Sequence, residues 1–209
     1  MLVGMIALWR TTIRTRASRS ILILARNMDF SIAISNLSPS ALMVTDVNGL
    51  APDETPAVIS DDVFGTFGDT VTLKSQMNAC SMGRLNVIPG DNNSGKINQS
   101  VYSAPGVISV TIGISLTTST GNEIRNAVTA AVQNKLGVSL PGLYKNVIYV
   151  LEKCYSDCGW AAYAFVNGWN SVYVKDNFKY VGVLMHELGH NYGLVRIRWI
   201  VSFSTLSSH

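Results

Sequence analysis

The chain has 209 residues, enough for one ordinary domain with a real core. Apolar residues make up 47% and charged residues only 14%, yet no apolar run reaches the roughly 18 residues a membrane span needs. The formal net charge is +3, but five of the 16 Lys/Arg precede Asn27 and two follow Leu194; the nine between face all 13 Asp/Glu, so the body of the chain is mildly acidic and has no basic patch with interleaved aromatics for nucleic acid.

The opening "MLVGMIALWR" is apolar, but its basic residues follow the apolar stretch, the reverse of a secretory signal. The acid-free run to Arg26 reads as a transit-like peptide, as a second signal start at "ILILA", or as a wrongly assigned beginning, so residues 1–40 are set aside as an uncertain N-terminal segment. "SALMVTDVNGLAPDETP" then predicts a short strand and a polar turn region. "SDDVFGTFGDTVTLKSQMNACSMG" predicts a helix in which Leu73, Met77 and Cys80 fall at i, i+4, i+7 and Gly83 is the stop. "RLNVIPG" is a strand, "DNNSGKINQS" a loop, and "GVISVTIGISL" an alternating strand with Val107, Ser109 and Thr111 opposite Ile108, Val110 and Ile112. "TGNEIRNAVTAAVQNKLG" is an amphipathic helix with Ile124, Val128, Ala131 and Val132 on one face and Gly137 at its end.

"KNVIYVL" is nearly continuously apolar, as a strand central in a sheet would be. "GWAAYAFVNGWNSVYV" fits one or two strands with a turn at Asn167–Gly168, and a last helix runs from about Lys179 to Gly193. This order makes a layered α+β or α/β domain. The three cysteines, Cys80, Cys154 and Cys158, leave at least one without a partner; two buried thiols and one surface thiol is the plain reading. Glycosylation sequons at Asn36, Asn92 and Asn98 carry little information by themselves.

The chemistry lies in "HELGH". His186 and His190 are four apart on a helix, hence on one face, where both imidazoles can reach one ion at about 2.0–2.1 Å. From its offset Glu187 reaches a water on that ion rather than the ion itself, which is the position of a general base acting on a zinc-bound water in peptide hydrolysis. The alternative is a pair of solvated or packed histidines. Against it stand the scarcity of histidine, three in the whole chain, and the apolar turn of Val181, Val183 and Leu184 before the motif. Gly193 extends the pattern to H-E-x-x-H-x-x-G, in which the glycine turns the chain back toward the metal; a third His three residues on would complete the metzincin arrangement. That position is Arg196, which cannot bind zinc, and the only later donor is the C-terminal His209. No Met follows Met185.

The segments "CSMGRLNVIPG", "KCYSDCGWAAYAFVNGWNSVY" and "KYVGVLMHELGHNYGL", with "LMVTDVNGLAPDETPAVISDDVFG" and "GVISVTIGISL" upstream, resemble the gametolysin family of zinc metalloproteases from about Ala41 to Leu194. The resemblance implies an α+β fold: a zincin-like (metzincin) N-terminal subdomain, with a mixed twisted sheet, supporting helices and an active-site helix. It implies Zn2+ on His186 and His190, Glu187 as catalytic base, Gly193 as the turn, and "GWAAYAFV" near the edge strand that aligns substrate. It also implies a secreted or extracellular endopeptidase acting on matrix or cell-wall glycoproteins. The family's third ligand falls at Arg196. Residues 41–194 are therefore expected to form an incomplete metallopeptidase domain and residues 195–209 a non-family tail, read as translated intron behind a splice-donor-like Val-Arg codon pair or as a true truncation. The competing expectation is a truncated, catalytically dead zincin-like protein.

Overall fold

The computed structural model describes residues 9–14, 18–23, 35–90, 98–142, 144–154 and 158–194. Strands β1 (Trp9–Arg14) and β2 (Ser18–Ile23) form an antiparallel pair. Strand β3 (Ser35–Leu37) leads into β4 (Ser40–Thr45). Helices α1 (Pro56–Phe64) and α2 (Leu73–Cys80) follow, then β5 (Leu85–Val87), which pairs parallel with β3. Strand β6 (Val107–Thr111), helix α3 (Gly121–Leu136), strands β7 (Val147–Leu151), β8 (Ala162–Ala164) and β9 (Asn170–Val174), and helix α4 (Val181–Asn191) complete the chain order.

The main sheet runs β6-β4-β7-β9-β8. Its first four strands are parallel, and β8 closes one edge antiparallel to β9 with Tyr163 opposite Val172. The sheet is thus mixed, and the fold is α+β. Strand β7 is buried at all five positions, as its unbroken apolar run predicts for a strand covered on both faces. Alternation sends Ile148 and Val150 to one side, into a core shared with α1, α2 and α4, and Val147, Tyr149 and Leu151 to the other, against α3. Helix α3 presents Ile124, Val128 and Val132 to that second core. A reciprocal cap between Thr120 and Glu123 starts it, and Gly137 ends it where its sequence predicts.

Three expectations are corrected. The single helix expected over residues 60–83 is two. Thr55 caps the start of α1, accepting from the Val58 N–H, and Pro56 occupies its first turn, so the helix begins inside the stretch read as a polar turn. Gly65 then ends it at φ 68°, where a Cβ would lie 2.7 Å from the Asp69 carbonyl oxygen. Secondly, the end of the segment set aside, residues 35–40, is part of the fold: β3 pairs with β5, and Leu37 is buried in the α4-side core. Thirdly, the two thiols of "CYSDC" are joined as a Cys154–Cys158 disulfide, and Cys80 is half-buried. Of "GVISVTIGISL" only Val107–Thr111 is strand, and of "DNNSGKINQS" residues 91–97 lie outside the described residues. No helix among the described residues is long and apolar enough to cross a membrane.

Candidate active site

Helix α4 buries Leu184, Met185 and Leu188 against the sheet, close to the packing face expected for it, although Val181 is only half-buried. That face fixes the helix's rotation, and His186 and His190 then stand together on its flank, both half-buried. Their Nε2 atoms are 3.1 Å apart, with the rings edge-to-face at 89°. Two ligands on one tetrahedral ion, each at about 2.0–2.1 Å, lie about 3.3 Å apart, so the pair is spaced to share an ion.

The turn after α4 holds the second ring. The Gly193 N–H donates to the His190 carbonyl and the Leu194 N–H to that of Gly189, a paired closure that needs a left-handed residue. Gly193 supplies it at φ 82°, and a Cβ there would lie 2.7 Å from Asn167 Oδ1. The reversed chain brings the Leu194 carbonyl to 2.7 Å from His190 Nδ1. A carbonyl only accepts, so Nδ1 carries the proton and Nε2 keeps its lone pair toward His186. Burial, then the like charge of His190, hold the His186 imidazole below its usual pKa, favouring the neutral ring that can ligate.

Glu187 lies between the two turns of the motif and is 6% exposed. Burial pushes its carboxyl above the usual range; the His190 charge and the N–H of Ala164, on β8, draw it back only in part. Its Oε2 is buried with no hydrogen-bond partner among the described residues. Helix α4 packs against β8, whose outer side pairs with no other described strand. The "GWAAYAFV" stretch therefore contains one of the two edge strands of the main sheet, and that edge runs beside the Glu187 carboxylate, which accepts from the Ala164 N–H.

Sequence reasoning missed the polar network under this end of α4. Asn191 is 7% exposed; its Nδ2 donates to the carbonyls of Phe165 (3.2 Å) and Asn170 (3.1 Å), and its Oδ1 accepts from Asn146 Nδ2 (3.2 Å). The Tyr192 hydroxyl donates to Asn146 Oδ1 at 2.8 Å, and the Asn167 N–H to the His190 carbonyl at 2.9 Å. One signal was present: Asn191 continues the buried Leu184, Leu188 stripe at i+7, and a polar residue there must be paired.

A family model described as gametolysin peptidase M11 matches residues 39–199. The chain belongs to the gametolysin peptidase family. Comparison with curated proteins and comparison with solved structures each found no match. The matched stretch of this gametolysin-family chain includes the motif helix and reaches past position 196. Among the described residues no group of three or more His, Cys, Asp or Glu side chains is placed to hold a metal ion. His186 and His190 are placed as a pair; Arg196 and His209 lie outside the described residues. Two imidazoles fit zinc in chemistry and spacing, and they are one donor short of the three protein ligands a catalytic zinc site normally uses.

Proposed function

We propose that this gametolysin-family chain is a zinc-dependent metalloendopeptidase that hydrolyses peptide bonds of extracellular matrix or cell-wall proteins. The observation that carries the reading is a single juxtaposition. A nearly buried carboxylate, one oxygen of which has no partner among the described residues, shares a helix with two converging imidazoles and accepts from the N–H of Ala164 on the edge strand β8. His186 and His190 would hold the zinc; when bound, it supplies Lewis acidity and lowers the pKa of water. Glu187 receives the water's proton on Oε2. Its raised proton affinity suits a base that keeps the proton long enough to pass it to the departing amine. The Leu194 carbonyl holds the His190 tautomer. The β8 edge takes an extended peptide as an added strand.

A second reading has its own support. Where the resemblance puts a third His the chain has Arg196, and the described residues supply no other third ligand. That favours a catalytically dead, zincin-like protein. Metal content and turnover separate the two. The peptidase reading expects zinc to remain in stoichiometric amount after dialysis and casein to be cleaved; Glu187→Gln is then expected to lower turnover about 10²- to 10⁴-fold while sparing the metal. Zinc lost to micromolar chelator with no cleavage supports the dead protein, and activity surviving Glu187→Gln removes the assigned base.

A further inference from the structure

On the face of the sheet opposite α4, a cavity of about 400 Å³ opens between the first turn of α3 and the β8 edge. Arg125, Asn122, Trp160, Tyr163 and Phe165 line it. The rings form a continuous shelf: Trp160 meets Tyr163 edge-on at 4.8 Å, and Tyr163 meets Phe165 at 6.0 Å. Phe165 is 50% exposed and Trp160 37%, so the shelf faces solvent. The Arg125 guanidinium lies over Phe165 at 4.5 Å and over Tyr163 at 5.9 Å, and one of its N–H groups donates to Asn122 Oδ1. It forms no ion pair among the described residues. The nearest acid in sequence, Glu123, is engaged by the N–H and hydroxyl of Thr120 at 2.7 and 2.8 Å. A half-buried guanidinium stacked on two rings, with no carboxylate of its own, presents its remaining donors outward as a planar fork.

Strand geometry says what reaches it. Successive side chains of β8 alternate: Ala162 packs with the α4-side core and Tyr163 with the α3-side core. A peptide added to the same edge alternates in step. One of its residues, level with Tyr163, must point to the α3 side and over the shelf.

We propose that this cavity is a specificity subsite that receives an acidic side chain, Asp or Glu, of a peptide lying along β8, and that Arg125 selects it. The proposal rests on the reading of β8 as the substrate-aligning edge. Its test reads binding rather than turnover. Full-length Glu187→Gln protein is titrated with short labelled peptides of Ser, Thr and Val in which one Glu, or one Gln, is moved through every position. In one register Glu is expected to bind about tenfold tighter than Gln, the preference vanishing one residue to either side. Arg125→Met removes the preference without removing binding, and high salt shrinks it. Arg125→Lys keeps the charge and loses the stacked fork, so it retains only part of it; should Arg125→Met fail to fold, this variant carries the test. Equal binding of Glu and Gln in every register, a preference unchanged in the variants, or Phe outcompeting Glu regardless of residue 125 overturns the subsite. No peptide binding in any register overturns the edge reading, and the subsite with it.

Discussion

Gly193 is a residue whose identity is dictated twice, by its left-handed φ of 82° and by Asn167 Oδ1, which stands where a Cβ would go. Gly193→Ala is expected to destabilise the protein by more than about 1 kcal/mol and to weaken zinc binding, because the Leu194 carbonyl that orients His190 moves with the turn. Calorimetry and a zinc titration check this; a variant with unchanged affinity would free His190 from the turn. Asp62 on α1 illustrates the opposite case, a residue that costs stability. Burial, then the charge of Asp69, raises its carboxyl to about 6, Lys179 offsetting only part, and its Oδ2 is buried without a partner among the described residues. A folded-state pKa above the unfolded one means that the folded protein holds the proton more tightly. The cost is therefore absent below the ordinary carboxyl value of 3.8, grows as pH rises, and is complete above about 6. Asp62→Asn should raise the melting temperature at pH 7 and leave the two proteins alike at low pH. A gain of equal size at every pH would refute the linkage.

Helix α4 is the element on which the site depends, and two sets of contacts orient it. Leu184, Met185 and Leu188 set its rotation through the core, while Asn191 ties its last turn to the carbonyls of Phe165 and Asn170 on the β8–β9 side. The first set is generic burial; the second is directional. Asn191→Leu keeps the apolar stripe but leaves two carbonyls and the Asn146 amide without their partner, at a cost of about 1–3 kcal/mol for an unsatisfied buried group. Denaturant unfolding measures it, and a stabilised variant would show that the network is dispensable. Helix α1 shows why the element map was only partly legible. Its Thr55 cap and Pro56 start were both in the sequence, but "PDETP" also reads as a turn, and propensity cannot choose between a cap and a turn when the same residues serve both.

At the scale of the whole molecule, a bound ion that prefers the folded state stabilises everything that unfolds with it. Zinc at about 100 times its dissociation constant is expected to add about 2.7 kcal/mol of stability, an increment abolished by His186→Ala. A zinc-dependent shift that persists in that variant would put the ion elsewhere. What the sequence by itself determined is whatever follows from local spacing and composition. The i, i+4 imidazoles with the carboxylate between them, the glycine turn, the capped amphipathic α3 and the buried β7 are all short-range patterns, and the motif segments were enough to indicate the family. Tertiary structure alone decided that β8 lies at an edge of the sheet, which oxygen of Glu187 has no partner among the described residues, and that Asn146, Asn191 and the Phe165 carbonyl meet. It also brought Arg125 to an aromatic shelf 38 residues further along the chain at Tyr163. The physical reason is range. A helix or a cap is chosen by interactions within a few residues, whereas a site is made where distant segments are pressed together by burial, and the sequence records the segments without recording which ones will touch.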